Sequence, residues 1–387
     1  METIQQGITT LLKNAVTGEN RPLPEDFSLS NALEIIKKQG LTTLAFEGAA
    51  LCGVPRTDPV MNELFMGYYS MLLRSERQMA KVNALLQEFE KAEIDYLPFK
   101  GCVMKALYPK PELRIMGDAD ILIRMSQYEQ IKPILENMGF TMKAESDCEL
   151  IWNSPELHLE LHRVMVQPTH ADYYEYFGDG WNRAVHREGC RYGFSDEDMY
   201  IYLFMHFTKH YRTGGIGCRH VVDLWVYRRA HPDMNKDYVN QELEKLNLHL
   251  FHENFLRMLD VWFGEEQPDE ITEFIGKRIF SGGSWGNADD YKIALELARQ
   301  NHTERVQHSR LRYAVGLLFP PLKQLKKKYP VLERLPVLLP VMWLVRGIQV
   351  LLFKRQKLGA AVQTGKLITD DAMTAHQEAL RKVGLEL

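Results

Sequence analysis

Residues 117–123 read GDADILI, and residues 157–163 read LHLELHR. In a β-strand successive side chains point to opposite faces. As a strand, the first stretch puts Asp118 and Asp120 on one face and Ala119, Ile121 and Ile123 on the other. The second alternates strictly, with Leu157, Leu159 and Leu161 on an apolar face and His158, Glu160 and His162 on a polar one. That alternation predicts a half-buried strand. Two acids side by side repel each other and resist burial. A divalent cation removes that cost, and Mg²⁺ or Mn²⁺ prefers carboxylate oxygens. If the two strands are neighbours, Glu160 joins Asp118 and Asp120. Three carboxylates can hold two such ions about 3.5–4 Å apart, an arrangement suited to in-line displacement at phosphorus.

The chain upstream fits a phosphate-handling turn. Residues 93–99, EIDYLPF, predict a short strand ending at Lys100 and Gly101. A helix of about two turns can follow over 102–108. Pro109 and Pro111 then break the chain before Arg114. A helix N-terminus favours anions, so Lys100 and Gly101 are candidates to bind phosphate. Arg114 can bind phosphate or pair with Asp118, since a guanidinium matches either oxyanion. Downstream, 127–137 predicts a helix containing Pro133, and 140–143 and 150–153 are further strand candidates.

Helical patterns flank this core on both sides. Leu29, Leu33 and Ile36 recur at helical spacing, and 59–93 is a long helical stretch or a helical pair. Its Met61, Met66, Tyr68, Tyr69 and Met71 are expected in the core. Beyond about residue 196 helices are expected at 196–210, 221–229, 236–263, 268–279, 287–299 and 303–318, with a loop at Gly214, Gly215 and Gly217. The division is a helical region over 1–92, an α/β core over 93–195 and a helical domain over 196–387. The fold class is α/β (α+β), a small mixed sheet between helical regions.

Composition narrows the class further. The chain has 387 residues, 45% hydrophobic and 25% charged, as a globular protein does. A net charge of −4 gives no global attraction to long nucleic acid or to acidic membranes, so any phosphate binding is local. Five cysteines, an odd number with no CxxC pair, predict neither a disulfide framework nor a zinc–thiolate site. The first residues, METIQQGITT, lack a basic segment followed by an apolar run, so a cytoplasmic chain with reduced thiols is expected. Residues 335–353, LPVLLPVMWLVRGIQVLLF, carry Arg346 and two prolines. A spanning helix needs about 20 apolar residues with few or no charges, so a buried or interfacial helix is expected instead. The preceding KQLKKKYP leaves weak membrane-surface contact open.

The series FKGCVMKALYP, PELRIMGDADILI and LHLELH resembles the uncharacterised nucleotidyltransferase family of the polymerase-β-like superfamily. MHFTKHYRTGG with RHVVDLW, SGGSWG and the 318–346 region are similar to its later segments. The resemblance implies that Asp118, Asp120 and Glu160 bind metal and carry catalysis. It implies that Lys100, Gly101 and Arg114 bind a nucleoside triphosphate, and that a nucleoside monophosphate moves to an acceptor with release of pyrophosphate. The acceptor can be a small molecule, a sugar, an RNA end or a protein side chain; the oligomeric state is open. One departure is Cys102, where better-studied nucleotidyltransferases carry a serine or glycine. A thiol is a weaker donor than a hydroxyl. The longer spacing from Gly101 to Asp118 is another. These departures support an alternative, a catalytically weak nucleotide-binding or scaffold protein of the same fold. A peripheral membrane protein is a third reading.

Other candidates have plainer readings. His206 and His210, at i and i+4, share a helical face but lack the HExxH glutamate, so a packing role between helix and sheet is expected. Asp223 can orient one of them, position an acceptor hydroxyl or cap local structure. His158 and His162 are candidates to support Glu160 or to face solvent. Cys102 has no assignable base and is expected to be incidental. Gly282, Gly283 and Gly286 predict a turn.

Overall fold

The computed structural model describes residues 2–167, 171–284, 286–299, 309–326, 328–353 and 363–386. Four helices lead: α1 (Thr3–Thr17), α2 (Leu29–Lys38), α3 (Thr42–Leu51) and α4 (Pro59–Lys91). Ser28 caps α2 by accepting from the Asn31 amide, and Asp58 caps α4 through the Val60 and Met61 amides. Such caps satisfy amides that have no partner inside the helix. Pro59 opens α4, where a missing N–H costs nothing. The long stretch is thus one helix of 33 residues. Its expected core stripe is only partly inside: Met61 is buried, but Met66 and Tyr69 are exposed. The buried positions farther along α4, Val82, Leu85 and Phe89, pack on the sheet.

The sheet has seven strands: β1 (Tyr96–Phe99), β2 (Ala119–Ile123), β3 (Thr141–Glu145), β4 (Glu149–Asn153), β5 (His158–His162), β6 (Val185–Glu188) and β7 (Arg191–Gly193). Their order is β3-β4-β5-β2-β1-β7-β6. It is mixed, since β2 runs parallel to β5 and β1 parallel to β7, while the other pairs are antiparallel. The connecting helices are α5 (Gly101–Met104), α6 (Tyr128–Asn137) and α7 (Ala171–Phe177). α5 is a single turn, extended by a 3₁₀ turn at Lys105–Leu107. The apolar faces of β2 and β5 meet as expected: Ala119, Ile121, Ile123, Leu157, Leu159 and Leu161 share one core.

The helices that follow are α8 (Asp196–Thr213), α9 (Cys218–Ala230), α10 (Lys236–Lys245), α11 (His249–Phe263) and α12 (Glu270–Ser281). The 236–263 stretch is therefore two helices. They part at Asn247, whose φ of 53° is left-handed. Asparagine visits that region more readily than most residues. Next come α13 (Ala288–Arg299), α14 (Ser309–Leu318), α15 (Leu322–Lys326), α16 (Val331–Arg334), α17 (Leu339–Phe353) and α18 (Asp370–Lys382). The expected helical residues 303–308 lie outside the described residues. The chain forms two compact units, one of Met1–Thr208 with Ile216–Ser284, the other of Lys209–Gly215 with Trp285–Leu387. Among the described residues no helix is long and apolar enough to cross a membrane.

Candidate active site

The two acid-bearing strands are neighbours. β2 and β5 pair in parallel, and Asp120 stands directly across from Glu160. Side chains at such positions share a face, so alternation along each strand brings the two carboxylates together. The strand itself begins at Ala119, which leaves Asp118 on the turn that enters it. Burial and the charges of Asp120 and Glu160 push the Asp118 carboxyl above its ordinary range, against the pull of Lys100 and Arg114.

Asp120 is buried and has two partners. Lys100 Nζ donates to its Oδ1 at 2.6 Å, and His162 Nε2 lies 3.0 Å from the same oxygen. Burial alone would raise the Asp120 carboxyl, but the Lys100 ammonium and the His162 ring hold it well below the usual range. The same His162 Nε2 is 3.5 Å from Glu160 Oε2, and its hydrogen bond is the main cause of a lowered Glu160 carboxyl. Burial works against a charged His162, yet its bonds to Asp120 and Glu160 raise it overall. His158 Nε2 approaches Glu160 from the other side at 3.5 Å.

Among the described residues, one group offers three close ligand atoms: Asp120, Glu160 and His162, all within 4.8 Å of one another. Two carboxylates and an imidazole suit a divalent ion such as Mg²⁺ or Mn²⁺, the imidazole inclining the set toward the softer one. Asp118 falls outside that close group while sensing its charge. His162, one of the three, is a residue the sequence reading left between support and solvent. The signal for it was present, since it shares the Glu160 face of β5.

The basic residues are more tightly engaged than expected. Lys100 takes a left-handed φ of 47° as the chain turns from β1 into α5, and its ammonium is spent on Asp120. Burial opposes its charge, but Asp120 keeps it protonated. Gly101 is needed for close approach, because a Cβ there would meet Met116 Cγ at 2.9 Å. Arg114 does not pair with Asp118. Its Nε and Nη2 donate to both oxygens of Asp223, at 3.1 and 2.9 Å, and its Nη1 donates to the Ile115 carbonyl. The Tyr108 hydroxyl donates to the same Asp223 at 2.7 Å. Asp223 therefore orients Arg114 and Tyr108, not a histidine. Arg219, from the first turn of α9, donates to that Ile115 carbonyl as well, so two guanidiniums converge just upstream of Asp118. Lys105 is buried below them, bonded to the Pro111 and Arg114 carbonyls. Burial lowers its ammonium to about 8. Spacing alone gave no sign of Arg219 or Lys105.

Burial, with Asp120 beside it, pushes the Cys102 thiol up to about 12, so it is no nucleophile at neutral pH. On α8, Tyr202 touches Phe99 edge-on at 5.5 Å and stacks with His206 at 6.1 Å. His206 thus packs toward the end of β1. Among the described residues neither His206 nor His210 enters a group of metal-ligand geometry.

The model of the family described as uncharacterised nucleotidyltransferase matches residues 25–264. No curated protein and no solved structure matches the chain. The matched stretch holds the whole sheet, both carboxylate strands and the residues that tether Arg114, and it covers more than half of the chain. On that match the chain belongs to the uncharacterised nucleotidyltransferase family.

Proposed function

We propose that the protein is a divalent-metal-dependent nucleotidyltransferase. It would move a nucleoside monophosphate from a nucleoside triphosphate to a hydroxyl or similar acceptor, with release of pyrophosphate. The observation that carries this reading is the facing pair Asp120 and Glu160 on parallel strands, with His162 between their oxygens. Asp118 and Asp120 would hold Mg²⁺ or Mn²⁺, with Glu160 as a further ligand or as the base for the acceptor proton, and with His162 as a ligand or as the group that orients Asp120 and Glu160. The bound ion would neutralise charge on the triphosphate and on the leaving pyrophosphate.

The chain's own groups then do the rest. Lys100 keeps a positive charge at the carboxylates and would turn from Asp120 to a phosphate oxygen when the triphosphate binds. Gly101, where Met116 leaves no room for a Cβ, would offer its backbone to the triphosphate at the start of α5. Arg114, fixed by Asp223, supplies a field at the Asp118 turn. The acceptor oxygen forms a bond to the α-phosphorus as the bond to pyrophosphate breaks, and its proton passes to Glu160. The reading is tested by offering each of the four nucleoside triphosphates, labelled at the α-phosphate, with Mg²⁺ or Mn²⁺ and a cell extract. Metal-dependent labelling of an acceptor supports it; absence of labelling with every triphosphate and both metals contradicts it.

The thiol of Cys102 favours a second reading, a nucleotide-binding protein of this fold with little turnover. Tight, metal-dependent nucleotide binding without pyrophosphate release would select it.

A further inference from the structure

Residues 309–357 contain eleven lysines and arginines and one acid, Glu333, in a chain whose net charge is −4. The described part of that segment folds as α14 to α17. It is also unusually apolar on its outside. On α14, Leu311, Val315 and Leu318 fall on one face, with Phe319 just beyond, and all four are exposed, Leu311 to 64%. Along the turn before α17 and α17 itself, Val337, Val341, Leu344 and Ile348 recur at intervals of four, three and four residues. These are exposed too, Val337 to 79% and Leu344 to 70%.

The polar groups point the other way. Trp343 Nε1 donates to the Pro320 carbonyl at 2.9 Å, and Arg346 Nη1 to the Leu317 carbonyl at 2.6 Å. The Tyr329 hydroxyl donates to Gln349 Oε1 at 2.9 Å. Arg346 satisfies a carbonyl in the last turn of α14, one of those a helix leaves unpaired. That explains how a charge sits within an apolar run without interrupting its outer stripe. Trp343, Arg346 and Tyr329 thus tie the helices together, while the aliphatic stripes are left exposed. A helix folded for water alone does the reverse, and exposed apolar stripes of this kind mark an interaction site.

The geometry points to α14–α17 as an element that lies in the interface of an anionic membrane. The aliphatic stripes would enter the acyl boundary, and Lys326, Lys328 and Arg334, the cations whose side chains are described and not turned inward, would meet the headgroup phosphates, the pattern of interfacial helices. Among the described residues α17 has 15 residues and rises about 22 Å, short of a hydrocarbon core of about 30 Å, and no helix there is long and apolar enough to cross a membrane. The charge argues for lipid over a second copy of this chain, since an eleven-to-one excess of cations would be set against itself. It argues for lipid over RNA, which would leave the aliphatic stripes in water.

The test is sedimentation of the full chain with vesicles of phosphatidylcholine alone, or of phosphatidylcholine and phosphatidylglycerol in equal parts, at low and high salt. Binding is expected on the anionic vesicles and weakened by salt. The exposed double substitution Val337→Asp, Leu344→Asp should lower partitioning about tenfold or more. Lys326→Glu, Lys328→Glu should remove most of the salt dependence. Quenching of tryptophan fluorescence by brominated lipid tests the unsubstituted protein directly, and quenching is expected. The inference is overturned if the protein stays in the supernatant with both vesicles. A dimer in light scattering that the aspartate substitutions break would also overturn it. So would RNA binding that ignores those substitutions while no vesicle binds.

Discussion

Lys100 Nζ lies 2.6 Å from Asp120 Oδ1, so an ammonium stands against the buried carboxylate that faces Glu160. Removing Lys100 leaves the buried carboxylate with His162 as its one remaining partner of the two, and loss of a partner from a buried ion pair costs about 3 kcal/mol. Lys100→Met should therefore lower stability by about that amount. It should also open the carboxylates to another cation. A ligand that binds only the folded state raises its stability by mass action. Mn²⁺ or Mg²⁺ should raise the melting temperature of Lys100→Met more than that of the unsubstituted protein. Equal shifts in a thermal melt would show that Lys100 and the metal do not share Asp120.

Arg114 and Asp223 form a bidentate pair with both partners buried. Asp223→Asn should leave the Arg114 charge poorly matched, at a cost of about 3–5 kcal/mol. Arg114→Lys keeps the charge but loses the fork, and should recover only part of that stability. Urea midpoints at unchanged slope check both. A midpoint shift within error for Asp223→Asn would mean that this tether does not hold the Asp118 turn.

Cys102 gives a functional prediction. With its thiol held up at about 12, it is almost fully protonated at neutral pH. Pyrophosphate release should survive brief treatment with iodoacetamide. Cys102→Ser introduces a better phosphate donor, so KM for the triphosphate should fall several-fold, by about 1 kcal/mol of binding, with kcat little changed. A collapse of kcat in Cys102→Ser would show that the thiol takes part in the transfer step.

His252 ties stability to pH. It is buried, 2.8 Å from the Tyr200 hydroxyl, and burial holds its ring neutral, with a value of about 3 against an ordinary 6.5. Between those values the unfolded chain binds the proton and the folded one does not. Stability is therefore full above pH 6.5 and is lost as pH falls toward 3. The loss from this group should reach about 2–3 kcal/mol near pH 4.5. His252→Gln should show a shallower decline in urea midpoint over the same range. Parallel declines would place the acid sensitivity elsewhere.

The sheet was legible where period-two alternation was strong. LHLELHR announces β5 by strict alternation of leucines with polar residues, and GDADILI announces β2 by its acids followed by an apolar run, although β2 is buried along its whole length. β6 and β7 gave no such signal. β6 is exposed along its length and β7 has three residues, so neither carries an apolar alternation to read. The break between α10 and α11 turned on a single left-handed asparagine, which a helical pattern does not reveal. At the site, Asp120 and Glu160 followed from register. The Asp223 partnership of Arg114 did not, because 109 residues separate them and only the packing of α9 brings them together. Arg219 escaped for the same reason, and His162 because an imidazole beside a glutamate reads equally well as solvent-facing.

In the proposed reaction Asp118 and Asp120, with Glu160 facing Asp120, hold the metal that nucleotide transfer needs. The most direct test compares the protein with an Asp118→Asn, Asp120→Asn variant in metal-dependent pyrophosphate release, with circular dichroism confirming that both are folded. Release by the unsubstituted protein should need Mg²⁺ or Mn²⁺ and should fall about a thousandfold in the folded variant. Undiminished release from the folded variant would contradict that assignment.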